Sequence, residues 1–297
     1  MCDETTEIEN AAWLSRRQFS ALGAGAAMMA TVPGCVAQSA PESASTPADQ
    51  GAATASRAVT FATPDGKADG FFVAPTSGKH PAVLLWPDIA GLRDAYKTMA
   101  TRLAAAGYAV LVINHYYRGS PAPILNTISE WRTPDGQKKL APLIAQLTPL
   151  GTVHDAAAAI AWLDAQPEVD TAKKIGTSGY CMGGPYTVRT AYAVPARVGA
   201  AASFHGGGLV GDDADSPVKL IAKTKASYLF AIAQNDDASA PGDKDALRAA
   251  AAAAGRPAEI EVYAAQHGWC AIDAPIYDKV QAEKAWSRML ALFAGAL

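Results

Sequence analysis

Residues 179–184 read GYCMGG and set one cysteine, Cys181, among glycines directly after the run KKIGTS. A thiol at the centre of G-x-Cys-x-G, where a strand turns abruptly into a helix, is placed as an exposed nucleophile. Gly179 and Gly183 belong there because side chains at those positions would collide in so tight a bend, while Cys181 itself takes a strained backbone. The helix that follows aims its N-terminus at the sulfur, and that partial positive charge favours the thiolate. A thiolate needs a base and a group to orient the base. AIAQNDDASAP supplies Asp236 and Asp237 right after an apolar run, and YAAQHGWC supplies His267 in the loop that follows the next one.

Each residue alone has a plainer reading. An isolated cysteine is commonly a small buried apolar residue, an aspartate after a strand a cap or turn former, a lone histidine a packing or surface group. The elements around them favour chemistry. AVTFAT and GFFVAP read as short strands around the turn PDGKADG, and PAVLLWP as a buried strand, because its apolar run is continuous. A helix over Ala95 to Ala106 stops at Gly107, and YAVLVIN is the next strand. A proline-rich loop runs from Tyr116 to about Pro134, and TVHDAAAAIAWLDAQ then repeats apolar residues at helical spacing. KKIGTSGY, RVGAAASF, ASYLFAIAQ and AEIEVYA are four more strands, with a helix over Asp243 to Ala254 and a last helix burying Ala282, Trp286, Met289, Leu290 and Phe293. Strands alternating with helices predict an α/β fold with a mostly parallel central sheet covered by helices on both faces. Ligands of such sheets sit at the carboxyl ends of the strands, where Cys181, the aspartates and His267 all fall. Nucleophile, acid and histidine also occur in the chain order of the α/β-hydrolase fold.

GYCMGG, NDDASAP and HGW, together with PDIAG after the third strand, resemble the dienelactone hydrolase family, cysteine members of the α/β-hydrolase fold, from Arg57 to the C-terminus. The resemblance implies hydrolysis of an ester or lactone through an acyl-enzyme on Cys181, with His267 as base and, by position relative to Pro241, Asp237 rather than Asp236 as the acid. It implies an oxyanion hole from the amides of Met182 and Ile89, and no metal or cofactor. Asp88 stands where the family has a glutamate that meets the resting thiol, and Arg118 in HYYRGSP matches an arginine that binds the substrate carboxylate. The second arginine of that clamp corresponds to Ala271, so a less anionic ester or lactone is expected. HGGG at His205 to Gly208 follows the nucleophile instead of preceding it, which excludes it as a lipase-type oxyanion loop and leaves a glycine-rich strand exit lining the pocket.

The 297 residues carry 25 Lys and Arg against 28 Asp and Glu, a net charge of −3 that gives no footprint for nucleic acid. The four cysteines, Cys2, Cys35, Cys181 and Cys270, are too few and too scattered for a disulfide scaffold or a paired zinc site. At the front, Arg16 and Arg17 precede a weakly apolar stretch too short to span a bilayer, which resembles a twin-arginine export signal over residues 1–36. VPGC resembles a lipoprotein box that would lipidate Cys35 and tether the protein at the cell envelope, with Pro33 a poor fit and cleavage near CVAQSA the alternative. Residues 37–56, rich in Ala, Ser, Thr and Pro, read as a disordered linker to a catalytic domain over 57–297 in a periplasmic or envelope-anchored protein. Two other readings stay open at this level: a tethered binding module that keeps the fold without turnover, and a redox switch through Cys181 and Cys270.

Overall fold

A computed structural model describes residues 51–297. The expected export signal over 1–36, with Cys35, and most of the expected linker lie outside the described residues. The sheet has eight strands: β1 (Thr54–Thr63), β2 (Gly66–Pro75), β3 (Ala82–Trp86), β4 (Ala109–Ile113), β5 (Ile175–Tyr180), β6 (Val198–Phe204), β7 (Ser227–Ala233) and β8 (Ala258–Tyr263). They lie in the order β1-β2-β4-β3-β5-β6-β7-β8. β1 and β2 form an antiparallel hairpin joined antiparallel to β4, and every pairing from β4 through β8 is parallel. The helices are α1 (Asp94–Ala105), α2 (Pro134–Ile144), α3 (Pro149–Asp164), α4 (Gly184–Ala193), α5 (Pro217–Leu220), α6 (Gln234–Ser239), α7 (Asp243–Ala253) and α8 (Lys279–Ala296).

Side chains alternate across the sheet and build two cores. Leu84 and Leu111 face one way, onto Ile160 and Leu163 of α3, Val188 of α4 and Leu247 of α7. Val83, Leu85 and Val110 face the other, onto Leu103 of α1 and Met289 and Phe293 of α8. Burial on both faces explains why β3 and β4 are apolar at every position. Among the described residues no helix is long and apolar enough to cross a membrane.

Two elements differ from the sequence-based expectation. β1 begins at Thr54, inside the segment expected to be linker, because Thr54 pairs with Pro75 and extends the hairpin. Its polar, largely exposed composition hid this: an edge strand needs only one partner, so backbone pairing outweighs side-chain burial. The expected loop from Tyr116 to about Pro134 contains a short 3-10 turn over Ile128–Arg132, and α2 begins where that loop ends, in a stretch with no predicted element. Prolines masked that helix, yet Pro134 sits at its start, where a missing N–H costs nothing, behind Thr133, whose hydroxyl accepts from Gly136 N–H. Leu140 and Leu143 of α2 pack on Ile89 and Tyr116 and close a third, smaller cluster over the strand ends.

The bend after β5 is held by steric exclusion. A Cβ on Gly179 would run into the Gly183 carbonyl, and one on Gly183 would lie 2.5 Å from the Trp86 carbonyl oxygen. Gly183→Ala is expected to lower the thermal midpoint by about 2–12 °C, from an overpacking cost of about 1–3 kcal/mol. Gly242→Ala, at an open and exposed position, is expected to stay within about 2 °C of wild type. Calorimetry of the two variants against wild type checks the contrast.

Candidate active site

Cys181 follows β5 with φ at 51°, in the left-handed region that a β-carbon disfavours. A 3-10 turn over Cys181–Gly183 leads directly into α4, so the tight strand–turn–helix bend expected from GYCMGG is present. The sulfur belongs to a buried residue and lies between two cavities. One, of about 380 Å³, is lined by Trp131, His205, His267, Ala271 and Ile276 among others. The second, of about 750 Å³, is lined by Ile89, Met182, Tyr186, Arg189 and Gly208 among others. Cys181 is the residue the two share.

His267 leaves β8 in a buried loop pinned by its own N–H, which donates to Asn235 Oδ1 at 2.8 Å. Its Nδ1 lies 2.8 and 3.0 Å from the two carboxylate oxygens of Asp236. Donor atoms of His267, His205 and Cys181 come within 4.8 Å of one another, so the imidazole has one nitrogen on the acid and the other directed to the sulfur's side. Thiol and imidazole in this grouping are also ligand types favoured by zinc-like ions. Burial pulls the His267 pKa down, but the negative charges of Cys181 and Asp236 outweigh it and hold the value at about 10.

The carboxylate that meets His267 is therefore Asp236, a correction to the expectation of Asp237. Both lie on α6, where successive side chains point about 100° apart, so only one of them can face His267. Asp237 turns to Lys244, its Oδ1 accepting from Nζ at 2.6 Å.

Asp88 and Arg118 also take other roles. Asp88 lines the smaller cavity, but its oxygens accept from Arg93 Nη1 and Nη2 at 2.7 and 2.9 Å, and Oδ1 also accepts from Ala90 N–H at 2.9 Å. Arg93 binds Asp273 as well, through Nε at 2.7 Å and Nη2 at 2.8 Å, and Asp273 accepts from Ile128 N–H at 3.0 Å. This buried triad ties the turn after β3 to the rim beyond His267. Burial alone would lower the Arg93 pKa, yet the two carboxylates raise it far above the usual arginine range. Arg118 lies outside both cavity linings and is clamped by Asp155 at 2.8 Å and Asp65 at 2.6 Å, which fastens the β1–β2 turn to α3. A guanidinium so engaged already has its charge matched by two carboxylates of the chain.

Three histidine and arginine positions were not singled out from sequence as functional. His205, at the end of β6 with φ at 40°, presents its ring edge-on to His267 with centroids 4.8 Å apart. Burial lowers its pKa, so this imidazole is neutral beside the charged one. His115 is likewise buried, and burial outweighs the pull of Cys181 to leave its pKa at about 3. Arg189 lines the larger cavity. The HGGG run was the signal for His205, and its reading as a strand exit lining the pocket is what the structure contains.

Among the described residues neither Cys181 nor Cys270 is part of a disulfide. Cys270 lines a separate apolar cavity with Tyr180, Phe204 and Trp286, and burial, with Asp278 nearby, pushes its pKa well above the usual thiol value.

Residues 68–297 match the profile of the dienelactone hydrolase family. A Methylorubrum extorquens protein that carries the name carboxymethylenebutenolidase is 28% identical over 231 residues, covering 76% of both chains. A Salmonella typhi protein of the same name is 28% identical over 225 residues, 74% of this chain and 78% of that one. A Klebsiella pneumoniae crystal structure described as a dienelactone hydrolase superposes with a TM-score of 0.69 at 25% identity, over 82% of this chain and 99% of that one.

The raised His267 pKa fixes a sign. The stabilisation carried by its protonated ring is complete below the ordinary value of 6.5 and is lost as pH climbs toward about 10. A proton NMR titration of the His267 ring is expected to give a midpoint near 10 in wild type, a lower one in Asp236→Asn and an unchanged one in Asp237→Asn. A lower midpoint in the Asp237 variant alone would restore the other acid.

Proposed function

Since the chain belongs to the dienelactone hydrolase family, we propose that it hydrolyses a carboxylic ester or lactone through a thioester formed on Cys181. The observation that carries this reading is the Asp236–His267 pair beside a sulfur held at positive φ between two cavities. The two cavities suit the two halves of a substrate whose scissile carbonyl lies over the sulfur.

In the first half-reaction Cys181 Sγ attacks the carbonyl carbon, and the carbonyl π electrons move onto oxygen. The amides of Met182 and Ile89 receive that oxyanion. Supporting the second donor, its neighbours are already committed: Asp88 N–H donates to Tyr96 Oη, Ala90 N–H to Asp88 Oδ1 and Gly91 N–H to the Asp88 carbonyl. Tyr116 Oη donates to the Ile89 carbonyl at 2.8 Å and fixes the plane of that turn. Two such donors lower the barrier by several kcal/mol, about 3 for each one removed. When the intermediate collapses, the carbon–oxygen bond breaks and His267 passes its proton to the departing alkoxide. A water then gives a proton to His267 and attacks the thioester, the carbon–sulfur bond breaks, and the acid leaves with the sulfur restored. Asp236 keeps the ring in the right tautomer throughout. In a lactone the alkoxide stays tethered to the acyl group until the second half-reaction frees both ends.

The twin-arginine-like front end makes the envelope the place where we expect this activity, with Cys35 as a candidate lipid anchor.

Turnover of p-nitrophenyl acetate tests the reading. Wild type is expected to release p-nitrophenolate well above background and Cys181→Ala only at background. Asp236→Asn is expected to lose about 10²–10⁴-fold in kcat, whereas Asp237→Asn stays within about twofold. Equal rates for wild type and Cys181→Ala would remove the thiol from the mechanism.

A further inference from the structure

The larger cavity beside Cys181 contains a cation that the mechanism does not use. Arg189 lies on α4, the helix that starts just after the nucleophile, and shares its cavity-facing side with Met182, Pro185 and Tyr186. Its side chain is half-buried, and its Nε is inaccessible to water and makes no hydrogen bond. Among the described residues no carboxylate reaches ion-pair distance of its guanidinium. Its nearest companions are the Tyr186 ring, 5.8 Å from the guanidinium carbon, and the exposed Asp215, which acts only through space. Burial therefore wins, and the Arg189 pKa is lowered. Arg93 and Arg118, by contrast, are each held by two carboxylates.

A guanidinium that is partly stripped of water and given no counter-ion is destabilised until an anion arrives. Here the anion would come with the substrate, because the same cavity contains the sulfur. Eight residues of helix separate the two along roughly 12 Å of axis, and side chains lean back toward the N-terminus. The charge is thus remote from the reacting carbonyl, by a spacer of several carbon atoms.

We propose that Arg189 is the specificity-determining residue of this site and selects esters or lactones bearing a carboxylate several carbons from the scissile carbonyl. This rests on the hydrolase reading above. The two positions that correspond to the family's carboxylate clamp, Arg118 and Ala271, do not form one: the first is paired with Asp155 and Asp65 and the second is a methyl group. The selection for charge is instead carried on the helix that the nucleophile itself initiates.

The test is a ratio, so that a general change in activity cancels. The p-nitrophenyl monoesters of dicarboxylic acids with four, six and eight carbons are each compared with the neutral acyl ester of equal length. Acetate esters of 6-hydroxyhexanoic and 8-hydroxyoctanoic acid, against hexyl and octyl acetate, place the carboxylate on the alcohol side. In wild type at least one charged substrate of six or eight carbons is expected to exceed its neutral partner in kcat/KM by about tenfold or more. In Arg189→Gln that ratio falls toward one, and in Arg189→Lys it is retained in part. Hydrolysis with ratios near one in wild type, or ratios unchanged in Arg189→Gln, overturns the proposal while leaving the hydrolase intact. If no ester is turned over, the hydrolase reading fails, and calorimetric titration with adipate decides the binding claim alone: about tenfold weaker binding in Arg189→Gln supports it, and equal binding refutes it.

Discussion

Everything at the site depends on how closely the chain can fold back on itself after β5. The backbone around Cys181 passes against the Trp86 and Pro87 carbonyls with no room for a side chain at Gly183, and Gly179 and Gly183 face each other across the bend. That approach forces Cys181 to a positive φ, at a cost of about 1–3 kcal/mol that the surrounding sheet must sustain. It also lifts the sulfur out of line with β5 and aims the start of α4 at it. The parallel neighbours β3 and β6, in register through Trp86–Gly179 and Gly179–Ser203, hold the bend from both sides.

The charges around that bend fall into two kinds. Arg93 with Asp88 and Asp273, and Arg118 with Asp155 and Asp65, are closed sets in which each buried charge has a partner in the chain. They shape the pocket: one fastens the turn containing the Ile89 amide, the other fastens the edge hairpin. The open kind comprises the Asp236–His267 pair, which can lose and regain a proton, and Arg189, which has no carboxylate partner among the described residues. Removing Arg93 would leave Asp88 buried without its partner, at about 3–5 kcal/mol. Groups of the open kind keep their charge available for chemistry and recognition.

Much of this was legible in the residues. Continuous apolar runs gave β3 and β4, helical spacing gave α3 and α8, and glycines flanking a cysteine gave the elbow. Less visible were choices made by three-dimensional direction. Asp236 and Asp237 are adjacent letters, and only the short helix α6 decides which one turns to His267. Asp88 and Arg118 were rightly placed near the strand ends, but their partners Arg93, Asp273, Asp155 and Asp65 come from distant parts of the chain, which no local pattern announces. Arg189 is one of many arginines until the cavity around it is seen, and the strand at Thr54 is polar because only its backbone is needed.

The central claim is that the sulfur at this bend becomes acylated. Mixing the protein with an activated acetate ester, quenching in acid within the first turnovers and mapping the peptides by mass spectrometry addresses it directly. A single acetyl group is expected on the peptide containing Cys181, accumulating when His267 is replaced by a residue that cannot activate water. Acetylation at another side chain, or turnover with no covalent adduct at any stage, would contradict it.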